Sequence, residues 1–199
     1  MHLPFLPHFR HSKFNGWITV TKGGVVWVEG IKQTSEHYDE LWADAFVHAN
    51  MLKDRAVTEV LMLGLAGGGA LKAIYEAYPG CHITAVEIDP VMVEIAQELQ
   101  LQKPHPFPRV LVGDAKEVLE KLKEKFDVIA VDIFKGITPS PHIDSDEFWE
   151  LVARHLNPGG VAVLNVAIAT TRLYTAEKHF KQFGAWQYDT NTFCALANS

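Results

Sequence analysis

Val60-Leu61-Met62-Leu63-Gly64-Leu65-Ala66-Gly67-Gly68-Gly69 decides the fold of this chain. Four apolar residues running into a glycine cluster predict a strand, Val60–Leu63, and a loop, Gly64–Gly69. A helix, Ala70–Tyr78, is predicted next and is stopped by Pro79-Gly80. Glycine in such a strand-to-helix turn lets the main chain bend sharply and come close to a ligand. The loop is not a GxGxxG fingerprint, and no Lys-Ser/Thr follows to make a phosphate-binding loop.

Downstream the same alternation repeats. The predicted strands are His82–Val86, Val110–Val112, Phe126–Val131 and Val161–Val166, with short ones near 185–189 and 192–197. The predicted helices are Val91–Gln100 after the cap and proline Asp89-Pro90, Ala115–Glu124, Asp144–His155 and Thr171–Phe183. Asp144 and Glu147 stand at capping-box spacing, and Pro158-Gly159-Gly160 reads as a turn. Apolar strands alternating with helices imply an α/β domain whose mostly parallel sheet is covered on both faces.

Upstream, Trp17–Thr21 and Val25–Glu29 flank Lys22-Gly23-Gly24, a hairpin signal. Residues Ser35 to Met51 carry Tyr38, Leu41, Trp42, Ala45 and Phe46 at helical spacing. Residues 1–15 show no periodicity, and the spacing of His2, His8 and His11 fits no helical metal site. The expected division is 1–52, hairpin and helix, and 53–199, the nucleoside-binding domain.

The 199 residues are 48% apolar and 21% charged, as in a soluble globular domain. A formal net charge of −6 argues against a nucleic-acid or anionic-membrane partner. The opening Met1–Pro7 has no basic region, long apolar stretch or cleavage site, which predicts a cytoplasmic protein. Cys81 and Cys194 lie in apolar contexts without disulfide or metal spacing.

In an open α/β sheet, ligands bind beyond the carboxyl ends of the strands. Those ends carry the glycine loop, Glu87, Asp114 and Asp132. A carboxylate at Glu87 can accept from both ribose hydroxyls. Asp114 has two candidate roles, accepting from an adenine amino group and capping the helix from Ala115. The loop lacks a pyrophosphate grip, so the set favours an adenosyl sulfonium over a dinucleotide. Asp132 can steer a cationic amine acceptor and take its proton. Tyr38 is either a core residue or a hydroxyl and aromatic face for the acceptor.

With these residues the chain resembles the spermidine synthase (polyamine aminopropyltransferase) family over roughly residues 16–166. Gly30-Ile31-Lys32-Gln33 with Tyr38-Asp39-Glu40 resembles the family's Gly-x-x-Gln and Tyr-x-Glu elements. Val86-Glu87-Ile88-Asp89, Gly113-Asp114-Ala115, Phe126–Asp132 and Pro158-Gly159-Gly160 match further motifs. The resemblance implies the Rossmann-like fold of class I S-adenosylmethionine-dependent methyltransferases, with a mostly parallel seven-stranded sheet and a small N-terminal β-hairpin. It implies that Gln33, Gly64, Leu65, Ala66, Gly67, Gly68, Glu87, Ile88, Asp114 and Ala115 hold the donor, either S-adenosylmethionine or its decarboxylated form. It places Tyr38 and Asp132 at a small, amine-type acceptor, with no metal, in a homodimeric enzyme of polyamine biosynthesis.

Two positions depart from the family. Gly67 stands where an acid holds the donor's aminopropyl amine, and Lys135-Gly136 stands where a second Asp is followed by Pro. The segment Asp132-Ile133-Phe134 through Pro141-His142-Ile143 resembles spermidine synthase-like proteins with Asp-Ala-Phe and Pro-x-His-Leu in this loop. His142 is then a candidate substitute base. Methyl transfer and a non-catalytic nucleoside-binding role stand as alternatives to aminopropyl transfer.

Overall fold

The computed structural model describes residues 8–34, 36–51, 55–100, 103–135, 138–166, 173–188 and 191–197. The N-terminal part is a four-stranded antiparallel sheet, β1 (His8–Ser12), β2 (Gly16–Val20), β3 (Val26–Val28) and β4 (Ile31–Lys32), in sequential order. The expected hairpin is β2–β3. Strand β1 has no apolar signature because its inward positions are polar. Arg10 pairs with Glu94 and Glu98, and Ser12 bonds to Asp89. A period-two pattern is present, but in hydrogen-bonding groups rather than hydrophobicity.

Helix α1 (Glu36–Asn50) follows, and Ser35, its expected first residue, lies outside the described residues. The main unit then runs β5 (Glu59–Leu63), α2 (Gly69–Ala77), β6 (His82–Glu87), α3 (Pro90–Gln100), β7 (Arg109–Val112), α4 (Ala115–Lys121) and β8 (Phe126–Val131). After β8 come the two-residue strands β9 (Phe134–Lys135) and β10 (Thr138–Pro139), with Gly136 outside the described residues. A 3-10 turn at Pro141–Asp144 leads into α5 (Asp146–His155) and β11 (Leu156–Asn165). The chain continues through α6 (Leu173–Glu177), β12 (Gln182–Tyr188) and β13 (Asn191–Ala197).

The main sheet has seven strands in the order β12-β13-β11-β8-β5-β6-β7. Pairing is parallel from β11 to β7, and β13 runs antiparallel to both β11 and β12. Successive strand residues serve opposite layers, which is why the strands read as unbroken apolar runs. Val60 and Met62 pack with Trp42, Phe46 and Ile74 from α1 and α2. Leu61 and Leu63 pack with Leu119, Phe148 and Trp149 from α4 and α5. A third cluster joins Ile18, Val20, Val26 and Val28 of the N-terminal sheet to Met92, Ile95 and Leu99 of α3. Cys81 and Cys194 are free and buried. Among the described residues no helix is long and apolar enough to cross a membrane.

Several expected boundaries move for local reasons. The N-cap of α5 is Ser145, whose hydroxyl accepts from Phe148 N at 3.3 Å, so the Asp144–Glu147 capping box does not form. Asp144 ends the 3-10 turn instead. Helix α4 stops at Lys121 rather than Glu124, since Leu122 turns to an extended conformation. Pro158-Gly159-Gly160 lies inside β11, where the register with β8 shifts between Leu156 and Val161. The helix expected from Thr171 to Phe183 shrinks to α6, because Gln182 and Phe183 pair with Ala197 and Leu196. Thr171 and the end of the strand expected at 185–189 lie outside the described residues.

Candidate active site

Strand order reverses at β5, whose neighbours are β6 and β8. The crevice above such a reversal is the expected ligand site. Main-chain bonds lace its four strand ends together: Gly64 N to Val86 O and Asp132 N to Leu63 O at 2.8 Å, and Gly113 N to Glu87 O at 2.9 Å. A cavity of about 780 Å3 opens over them. Its wall includes Gly64, Ala66, Glu87, Asp114 and Asp132. Gln33, Tyr38, Ile88 and Ala115 line it as well.

Leu65, Gly67 and Gly68 are not among its lining residues. Leu65 is buried in the core, and Gly68 is the left-handed N-cap of α2. At Gly67 a Cβ would stand 2.6 Å from Val26 Cγ2 and 2.9 Å from Thr34 Cγ2. The N-terminal sheet therefore packs onto the position where the resembled family carries an acid.

Glu87 is buried, and its carboxylate organises the loop. Its Oε2 accepts from Leu65 N and Ala66 N, both at 2.9 Å, and its Oε1 accepts from Asp89 N at 3.0 Å. Ala66 adopts φ 45, a left-handed conformation that non-glycine residues rarely take, so these bonds hold a strained turn at the cavity wall. Burial pushes the Glu87 carboxyl up, against those three amide bonds. Each carboxylate oxygen has two acceptor positions, so one remains on Oε1 for a ligand hydroxyl.

Asp114 does cap its helix. Its Oδ1 accepts from Lys116 N at 2.9 Å and Glu117 N at 3.2 Å. Its Oδ2 lies 2.9 Å from His142 Nε2. Burial alone would raise the Asp114 carboxyl, but the His142 bond and the amides outweigh it and hold it below the ordinary range. His142 thus sits at the β7 end of the cavity. Asp132 follows β8, three strands away, or about 14 Å at the usual strand spacing.

Asp132 is held by residues that sequence reading missed. Asn165 Nδ2 donates to its Oδ1 at 2.9 Å, and Asn191 Nδ2 donates to Asn165 Oδ1, also at 2.9 Å. The buried Trp42 indole donates to it too. Burial pushes the carboxyl up to about 6 despite these donors, and the Glu87 charge adds to the rise. The Tyr38 hydroxyl is pushed up by burial and by the Asp132 charge. Asn165 is the lone polar residue in Val161–Val166, a usable signal; Asn191 gives none, since it arrives from a distant strand.

Asn165→Ala should therefore raise the pH midpoint of activity above 6. Losing a hydrogen bond to a charged group is worth about one pH unit or more. Asn191→Ala, which frees Asn165 to rotate, should move the midpoint the same way by less. A pH profile of kcat/KM for both variants checks this.

The Spermine/spermidine synthase domain family matches residues 39–194. The chain belongs to this family. A probable polyamine aminopropyl transferase of Bifidobacterium longum is 33% identical over 139 residues, which are 70% of this chain and 30% of that protein. The polyamine aminopropyltransferase of Vibrio vulnificus is 35% identical over 132 residues, 65% of this chain and 44% of the relative. The chain thus spans less than half the length of these two relatives. The spermidine synthase of Thermotoga maritima superimposes with a TM-score of 0.75 at 18% identity, over 96% of this chain and 72% of that one. Human methyltransferase-like protein 13, solved with SAH, gives 0.66 at 22% identity, over 83% of each chain. These likenesses show a fold shared by spermidine synthases and methyltransferase-like proteins.

Proposed function

We propose that this chain is a transferase that binds an adenosyl sulfonium, S-adenosylmethionine or its decarboxylated form. It moves an aminopropyl or alkyl group to a small, amine-type acceptor. The observation that carries this reading is the convergence of the Gly64–Ala66 turn, Glu87, Asp114 and Asp132 on one cavity. The last acceptor position on Glu87 suits a ribose hydroxyl, while Ile88 and Ala115 offer apolar contact to a base near Asp114. No phosphate-gripping loop is needed for such a ligand.

The sulfonium supplies an electrophilic carbon and leaves as a neutral thioether. The chain's own part is to present Asp132 to the acceptor. The Asp132 carboxylate takes the proton that an amine must lose before its nitrogen attacks. Asn165 and Trp42 fix the carboxylate's direction, and Tyr38 closes the same side. Among the described residues no group of three or more His, Cys, Asp or Glu side chains is placed to share a metal ion.

A second reading, methyl transfer from S-adenosylmethionine, draws support from Gly67. No acid fits there to hold an aminopropyl amine, because Val26 and Thr34 fill the space. We also infer a cytoplasmic homodimer joined through the N-terminal sheet. Phe9 and Trp17 are 72% and 64% exposed on one face of β1 and β2. Light scattering on the wild type and on Trp17→Ser checks the dimer, and a monomeric wild type overturns it.

The deciding experiment is calorimetry with both sulfonium donors and their thioether products, including methylthioadenosine. Saturable binding of at least one, weakened by Glu87→Gln, is expected. Binding of none would sink the reading.

A further inference from the structure

Three lysines are among the residues that line the same cavity: Lys13 between β1 and β2, Lys32 at the end of β4 and Lys135 in β9. All three side chains are exposed, and among the described residues none pairs with a carboxylate. Lys13 Nζ lies 4.7 Å from the Phe14 ring centroid, and Lys32 Nζ lies 5.5 Å from that of Trp27. A ring face orients an ammonium without neutralising it.

The cavity's three carboxylates are already engaged. Glu87 accepts three main-chain N–H groups, Asp114 accepts two and meets His142, and Asp132 is held by Asn165 and Trp42. Main-chain amides, Asn165 and Trp42 are neutral donors that leave these carboxylates charged but turn them onto the cavity wall, whereas the three lysine side chains are exposed and, among the described residues, paired with no carboxylate. Lys32 ends β4 beside Gln33, on the side read as the donor's, and Lys135 follows Asp132 by three residues, on the side read as the acceptor's. A polyamine would bring further cations against them and be repelled, whereas a carboxylate would be attracted.

We propose that this cavity is built for a carboxylate-bearing substrate, held by Lys32 and Lys135 with Lys13 adding to the field, in place of a polyamine. The carboxylate belongs either to the amino-acid end of the donor or to the acceptor. This inference rests on the adenosyl-sulfonium reading above.

The test compares matched ligands by calorimetry on the whole chain. In the donor arm, S-adenosylhomocysteine is set against S-adenosyl-3-thiopropylamine, which differs only in lacking the carboxylate. In the acceptor arm, with methylthioadenosine saturating, 4-aminobutanoate is set against 1,4-diaminobutane. A preference of about tenfold or more for the carboxylate form in either arm is expected, and the arm that shows it identifies the source. That preference should shrink at least about fivefold in the Lys32→Gln/Lys135→Gln double variant, and it should weaken with added salt. Both substitutions are at exposed positions, so an unchanged melting temperature certifies the fold.

Equal affinities within both arms would overturn the proposal, as would tighter binding of the diamine or a preference that survives the double variant. In each of those cases methylthioadenosine still binds and the adenosyl reading stands. Failure of methylthioadenosine and of both thioethers to bind is the separate outcome that removes the adenosyl reading and this inference with it.

Discussion

Replacing Asp132 by Asn should lower turnover by about 10^2- to 10^4-fold, the range for a lost general base. The same change should stabilise the folded chain at neutral pH. Both effects come from one cause. The carboxyl is pushed up to about 6, chiefly by burial, so its ionised form is the costly one in the fold and the useful one in the reaction. Between the ordinary carboxylate value near 4 and about 6, the folded state holds a proton that the unfolded state has released. Stability of the wild type therefore falls as pH rises through that window and stays lower above it. A shift of about two units sets an upper bound of about 3 kcal/mol on this loss.

Asparagine keeps an oxygen to accept from Asn165 and carries no charge, so the variant escapes the loss. Urea denaturation at pH 4 and pH 8 should show the two proteins alike at the lower pH and the variant more stable at the higher one. Wild-type activity should fall on acidification with a midpoint near 6, because protonated Asp132 cannot accept the substrate's proton. A variant that retains turnover at pH 8 would remove Asp132 from the chemistry.

Gly64→Ala should be the most damaging small substitution in the chain, costing more than about 3 kcal/mol or preventing folding altogether. An added Cβ would stand 2.2 Å from Asp132 O and 2.8 Å from Asp132 C, both main-chain atoms. Neither can step aside. Asp132 N is bonded to Leu63 O, and β8 is paired to β5 up to Leu63 and Val131. Gly64 also adopts φ 89, outside the comfortable range of any L side chain. Gly80→Ala is the matched control, with φ 82 and nothing within 4 Å of its Cβ. It should lose only the conformational term, about 1–2 kcal/mol. Chemical denaturation of the two variants separates the steric part from the torsional part. Equal losses would contradict this account of the crossing.

The strand ends were legible because parallel strands buried on both faces write long apolar runs, and whatever ends such a run stands at the ligand edge. Gly64, Glu87, Asp114 and Asp132 were placed on that rule, and the structure gathers them in one cavity. What remained hidden depends on contacts made across the chain. The polar inner side of β1 becomes intelligible only when Glu94, Glu98 and Asp89 are seen opposite it. The Asn191–Asn165–Asp132 relay needs β13 laid beside β11. Ser145 and Asp144 are both good capping residues, and because Asp144 belongs to the preceding 3-10 turn, Ser145 stands at the cap position. Leu65, Gly67 and Gly68 shape the turn, and it is Gly64 and Ala66 that face the cavity.

The tie between the N-terminal sheet and α3 constrains the order of events during synthesis. Ser12 and Asn15 hydrogen-bond to Asp89, 77 and 74 residues further along, and Val20 and Val28 bury against Ile95 and Leu99. Residues 8–32 leave the ribosome well before the helix that covers them. At roughly 5–20 residues per second, several seconds pass with that apolar face uncovered. This sheet thus waits for packing partners on a helix translated well after it, and during that interval its apolar face is open to chaperones and to aggregation.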